Sequence, residues 1–292
     1  MTHADNGSSV PRRQLGRKLK ALRESVPLTM AEAWTALEWS RQRLWRYETG
    51  QVAIHPNDVA AMGALYGADA ELIEGLKELA RQGKAKGWWH AYSDIPEWFE
   101  LFLGMESASS RLRQYEAEII PGLLQSPRYA EAIISLGPAE ISREAVEERV
   151  AIRMQRQRIL TRRKPAAPRL DAILSESALV RGFGPEVMID QLGRLAALSE
   201  LPNASVRVIP FSAGPHTAYQ GPFVILDFPQ ESPARAPEPS TVYQESPTGS
   251  LYLDKMTEVE TYSSIWNHLD RVALDEIESR RLIERKVKEW SQ

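Results

Sequence analysis

The chain has 292 residues, no cysteine, 43% hydrophobic residues and a formal net charge of −3. That length favours two domains over one, and the apolar fraction suffices for a buried core. Disulfides and thiolate metal sites are excluded, and no apolar run approaches the roughly 20 residues that span a bilayer.

Residues 1–11 are polar, lack the apolar stretch of a signal peptide, and read as a disordered tail. Residues 12–25 follow as a basic amphipathic helix: Leu15, Leu19 and Leu22 form an apolar stripe, with Arg12, Arg17, Lys18 and Lys20 off it. Pro27 ends that helix. Thr29 with Glu32 predicts a capping box, so a second helix starts at Met30. Ser40 caps a third helix and Gly50 stops it. Pro56 and Asp58 open a fourth, to about Tyr66 and Gly67, and residues 70–82 predict a fifth. Five short helices therefore make a compact helical domain over 12–83.

Gly-Lys-Ala-Lys-Gly at 83–87 marks a boundary, and Trp88, Trp89 and Trp98 follow it. Helical periodicity dominates from 97 to about 162, broken at Pro121-Gly122 and restarted at Ser126-Pro127. A charged helix over 143–163 ends in Arg162-Arg163-Lys164 before Pro165. Its Arg153, Arg156, Arg158, Arg162 and Arg163 read as a solvated face, with a second anion-binding surface as the alternative. Strands are predicted at 169–174, 205–210 and 222–228, and weaker ones at 241–245 and 251–253. A helix at 185–200 lies between the first two. The segment 229–240 holds four prolines and reads as a loop, and helices near 255–270 and 275–290 close the chain. The fold class is α+β: an N-terminal five-helix domain, then a mixed α/β domain with a small sheet over 84–292.

Charge divides along the chain. Residues 11–50 hold nine Lys/Arg against four Glu, so this segment carries +5 and the remainder −8. A basic segment on an acidic body suggests a polyanion-binding module joined to a part with another task. The third helix opens with Arg41, Gln42 and Arg43, with Arg46 one turn later. Long polar side chains there suit the major groove, since Arg can hold guanine O6 and N7, and Gln adenine N6 and N7. Arg41, Gln42, Arg43 and Arg46 are the candidate base contacts, with Leu44 and Tyr47 facing inward. Arg17, Lys18, Thr29, Ser40 and Trp45 are candidate contacts to the DNA backbone.

Ser-Arg-Gln-Arg-Leu-Trp-Arg-Tyr-Glu-Thr-Gly over 40–50 resembles the recognition helix of Xre-type repressors, relatives of the lambda repressor and Cro. Arg46, Glu48 and Gly50 match that pattern; Met30 and Trp45 depart from it, standing where a phosphate-contacting Gln and a small polar residue are usual. Gly-Trp-Trp-His at 87–90, Tyr115-Glu116 with Ile120-Pro-Gly-Leu-Leu-Gln125, Glu200-Leu-Pro-Asn203 and Ile209-Pro-Phe-Ser-Ala-Gly-Pro-His216 resemble the C-terminal domain of a large actinobacterial regulator family. Its members are described as antitoxin-like or WhiJ-like, and the domain as of unknown function. The resemblance implies a lambda-repressor-like helix-turn-helix domain, a DNA-binding transcription regulator, and a small acidic partner protein encoded nearby; the absence of cysteine fits a reducing cytoplasm, and the expected location is cytoplasmic and nucleoid-associated. It makes Trp88, Trp89, Tyr115, Glu116 and His216 candidates for contact with a partner or ligand; as bare residues, the aromatics read as core.

Enzyme signatures are missing from the sequence. It has no Gly-X-Ser-X-Gly elbow, P-loop or dinucleotide fingerprint, and histidines 3, 55, 90, 216 and 268 have no ligand spacing. The expectation is a non-enzymatic homodimer that binds double-stranded DNA without a cofactor or metal. Two alternatives stand beside it: an antitoxin-like module that neutralises a small protein, and a regulator that is a small-molecule receptor.

Overall fold

A computed structural model describes residues 10–50, 52, 54–81, 97–137, 141–164, 166–229, 239–246 and 249–292. Trp88, Trp89, the 83–87 junction, most of the N-terminal tail and most of the proline-rich segment lie outside the described residues. The chain divides into two compact units, one of residues up to Met105 with Tyr252–Lys255, the other of Glu106–Leu251 with Met256–Gln292.

The N-terminal unit begins with five helices: α1 (Val10–Ser25), α2 (Met30–Ala36), α3 (Arg41–Glu48), α4 (Pro56–Leu65) and α5 (Ala70–Arg81). The Thr29–Glu32 capping box forms in both directions, and the Ser40 side chain accepts from Arg43 N. Leu15, Leu19, Leu44, Val59, Met62 and Leu76 build the core. The turn between α2 and α3 passes through Glu38 at φ 55°, a left-handed conformation that costs a non-glycine residue about 1 kcal/mol. Gly50, at φ 66°, takes the same region just beyond α3 with no side chain to obstruct it.

Gly16 sits where α1 crosses the end of α3. A Cβ there would lie 2.5 Å from Tyr47 O and 2.8 Å from Glu48 O, both backbone atoms.

Helix α6 (Glu97–Ala108) spans the division between the units, and the described residues that follow it form a sheet of six strands. They are β1 (Arg111–Glu116), β2 (Arg169–Ser175), β3 (Ala204–Ile209), β4 (Phe223–Asp227), β5 (Thr241–Ser246) and β6 (Gly249–Leu253), in spatial order β3-β2-β1-β4-β5-β6. β1 and β3 run parallel to β2; β4 runs antiparallel to β1 and β5. Helices α7 (Pro127–Ser135) and α8 (Arg143–Arg156) join β1 to β2, and α9 (Ser177–Val180) and α10 (Pro185–Leu198) join β2 to β3. Helices α11 (Met256–Val272) and α12 (Glu276–Trp290) follow β6; α12 packs on α10 and β3, and α11 on β4 and β5.

Two elements differ from the sequence expectation. Strand β1 lies inside the stretch read as helical, at the centre of the sheet. The helix expected over 143–163 ends at Arg156 and continues as a tight 3-10 turn over Gln157–Leu160.

Replacing Gly16 by alanine is expected to push α1 away from α3. The change should lower stability by about 1–3 kcal/mol, the usual range for overpacking against atoms that cannot yield, measured as a shift in the urea midpoint of the full chain.

Candidate nucleic-acid interface

α3 divides cleanly by periodicity. Leu44, Tyr47 and Glu48 are buried, whereas Arg41, Gln42, Arg43 and Arg46 are exposed. Thr29 and Ser40 stand at the starts of α2 and α3 as N-caps, and Arg17, Lys18 and Trp45 are half-buried. The structure thus brings all four candidate base contacts onto the exposed side of one helix.

The buried end of that helix is fixed by an ion pair. Arg23 on α1 donates from Nε to Glu48 Oε1 at 2.7 Å and from Nη2 to Oε2 at 2.9 Å. Its Nη1 reaches Leu28 O, and the OH of Tyr66, the residue just after α4, donates to the same carboxylate. Both side chains are almost wholly inaccessible, at 8% and 1%. Arg13 is buried as well, so the nine cations of residues 11–50 do not all face solvent.

The exposed end carries a second cluster. Arg43 Nη2 pairs with Asp58 Oδ2 on α4 at 2.8 Å, Arg43 Nε donates to Tyr47 OH, and Tyr47 OH donates to Asp58 at 2.7 Å. The guanidinium lies 4.3 Å from the ring centre of Trp39, which meets Tyr47 edge-on. Arg41 lies 6.0 Å from the ring centre of Trp34. An open notch beside α3 is lined by Ser40, Gln42, Arg43, Arg46, Tyr47 and Val52.

In the second unit, Tyr115 is buried on β1, and its hydroxyl shares a hydrogen bond with His216 Nε2 at 3.2 Å. Burial pushes the Tyr115 phenol up to about 12, and burial together with His268 moves His216 down. Glu116, next on the strand, accepts from Gln114 at 3.0 Å. Burial pushes its carboxyl up to about 7, and Glu245 adds to the effect. Tyr115 and His216 therefore meet. Glu116 points elsewhere, because successive strand residues face opposite sides.

The loop Pro121–Ser126 is clamped by buried amides. Gln125 donates to Ile120 O, Gln157 to the carbonyls of Gly122 and Gln125, and Gln191 to Leu124 O while accepting from Ser126 N. Arg153 donates to Gln125 Oε1, and Arg156 makes a two-pronged pair with Glu106 at 2.5 and 2.6 Å. Arg153 and Arg156 are therefore held by the interior, unlike the solvated face expected of them. Asn203 likewise bridges the carbonyls of Leu160 and Pro168.

A helix-turn-helix domain family matches residues 14–76, and a family described as a domain of unknown function (DUF5753) matches residues 99–285. The chain belongs to the DUF5753 family. Its N-terminal unit carries a helix-turn-helix domain, and the DUF5753 unit carries the mixed sheet. No curated protein and no solved structure matches the chain. Among the described residues no helix is long and apolar enough to cross a membrane, and no group of three His, Asp or Glu could hold a metal ion.

Sequence reasoning missed Arg23 and Asp58. Arg23 carried a signal: it continues the spacing of Leu15, Leu19 and Leu22, and a charge on an apolar stripe implies a buried partner. Glu48 continues Leu44 and Tyr47 in the same way. Asp58 carried only the signal of a residue opening a helix.

Replacing Glu48 by glutamine leaves Arg23 buried without a counter-charge. Stability is expected to fall by about 3–5 kcal/mol, read from the denaturation midpoint. Glu116 should make the DUF5753 unit less stable as pH rises. Its carboxyl is accommodated while protonated, below the ordinary value of 4.5, and stability is lost as pH rises through about 7. The loss is at most about 3 kcal/mol. Glu116→Gln should match wild type at pH 4.5 and exceed it at pH 8 in thermal unfolding.

Proposed function

We propose that this protein is a sequence-specific DNA-binding transcription regulator that works as a homodimer. The observation that carries the reading is α3 itself. A buried ion pair fixes its far end, and Arg41, Gln42, Arg43 and Arg46 project from its exposed face. That is the arrangement a recognition helix needs to reach base edges in a major groove. In this reading Arg17, Lys18, Thr29, Ser40 and Trp45 contact the sugar-phosphate backbone and set the register. A single helix of this length reads only a few base pairs, so two copies on half-sites about one turn apart supply the rest.

The recognition helix and its supports lie wholly within the N-terminal unit, which leaves the DUF5753 unit for another task. We assign to it the receipt of a small partner protein or another signal, with autoregulation of its own operon as the output.

The test is a gel shift of the full-length protein on the DNA upstream of its own gene, titrated with salt. A discrete complex that survives competitor DNA is expected. Arg46→Ala should lose most discrimination against unrelated duplex. Lys18→Ala should weaken binding to every sequence alike and flatten the salt slope by about one unit. A folded protein that gives no shift at low salt overturns the reading.

A further inference from the structure

We infer that Asp58 is a specificity-determining residue: with Tyr47 and Trp39 it locks Arg43 into one orientation for reading a guanine. This inference rests on the DNA-binding reading above.

An exposed arginine ordinarily samples many rotamers, and ordering it on binding costs free energy. Arg43 is already ordered. Its Nε and Nη2 form one edge of the guanidinium, and that edge is engaged by the Tyr47 hydroxyl and the Asp58 carboxylate. The Tyr47–Asp58 hydrogen bond closes the triangle, and the Trp39 ring covers one face. Three elements thus hold one side chain: the turn before α3, α3 itself and the start of α4.

What remains is the distal edge, Nη1 with the second Nη2 proton, on a side chain that is 43% exposed. Two parallel N–H groups are what guanine O6 and N7 accept. Arg43 also lines the open notch beside Gln42 and Arg46, so the held edge shares a surface with the other candidate base contacts.

Asp58 is a poor choice for affinity. A partly exposed carboxylate beside a polyanion-binding face repels every duplex alike. It is a good choice for selectivity, because it strengthens one reader while weakening attachment to unrelated sequence. The opposite role, a brake that Arg43 must escape before it reaches DNA, predicts the reverse sign and is separable.

The test uses the full-length chain and duplexes that wild type enriches from a randomised library. Affinities are measured for the enriched duplex and for an unrelated one, and their ratio is the readout. Asp58→Ala is expected to bind unrelated duplex more tightly and to lower the ratio about tenfold or more, within what one bidentate base contact contributes. Asp58→Asn, which keeps the shape and an acceptor, should lower it less. In an Arg43→Ala background, Asp58→Ala should change the ratio no further. A ratio that rises or stays constant overturns the inference while leaving DNA recognition intact. So does an Asp58→Ala effect that persists without Arg43. A wild-type chain that enriches no sequence overturns both.

Discussion

The Arg23–Glu48 ion pair is the constraint on which the N-terminal unit depends. It joins the last turn of α1 to the last residue of α3, and Tyr66, capping the end of α4, adds a third element to the same carboxylate. The contact is close because Gly16 lets the α1 backbone approach the carbonyls of Tyr47 and Glu48. A buried pair of this kind contributes little net stability over an apolar pair of the same size, but it is directional. It therefore sets the angle of α3 more than the depth of the folding well. Burial also shields it from salt, whereas the arginines on the opposite face interact with any polyanion through a screened field. The helix should keep its orientation at ionic strengths where attraction between its exposed arginines and a polyanion has fallen.

The helical domain was legible because its signals are local. Caps, a turn and a 3.6-residue apolar period each lie within one or two turns of chain, and α2 to α4 start at the residues those signals name. Net charge was less faithful. Residues 11–50 sum to +5, yet Arg13 and Arg23 are buried and Arg43 is paired, so the exposed cationic surface is smaller than composition implies.

Strand β1 shows where local signals fail. Arg-Leu-Arg-Gln-Tyr-Glu looks wrong for a central strand, which normally reads as a continuous apolar run. It is tolerated because neighbouring strands bring carboxylates to it: Asp171 on β2 to Arg111, and Asp227 on β4 to Arg113. Those aspartates are 60 and 114 residues distant in sequence. The Pro121-Gly122 break was visible, but the glutamines that clamp it from α10 and the turn after α8 were not. In both cases the sequence holds a polar residue whose partner only the tertiary fold identifies.

The exposed face of α3 raises the same issue at the site itself. Periodicity alone places Arg41, Gln42, Arg43 and Arg46 outward, and it treats the four as equivalent. The fold does not. Arg43 is gripped along one edge by residues of α3 and α4 and covered by the Trp39 ring, while Arg41 only approaches Trp34 at a distance of 6.0 Å. A gripped side chain has already lost the rotamer freedom that recognition would otherwise remove, so a mismatch beneath it cannot be escaped by rotation. A loosely held one adapts to several bases or to a phosphate. If α3 is the recognition helix proposed above, selectivity on its face follows the distribution of rigidity among its arginines more than their number, and that distribution is written in α4 and in the turn before α3, outside α3 itself.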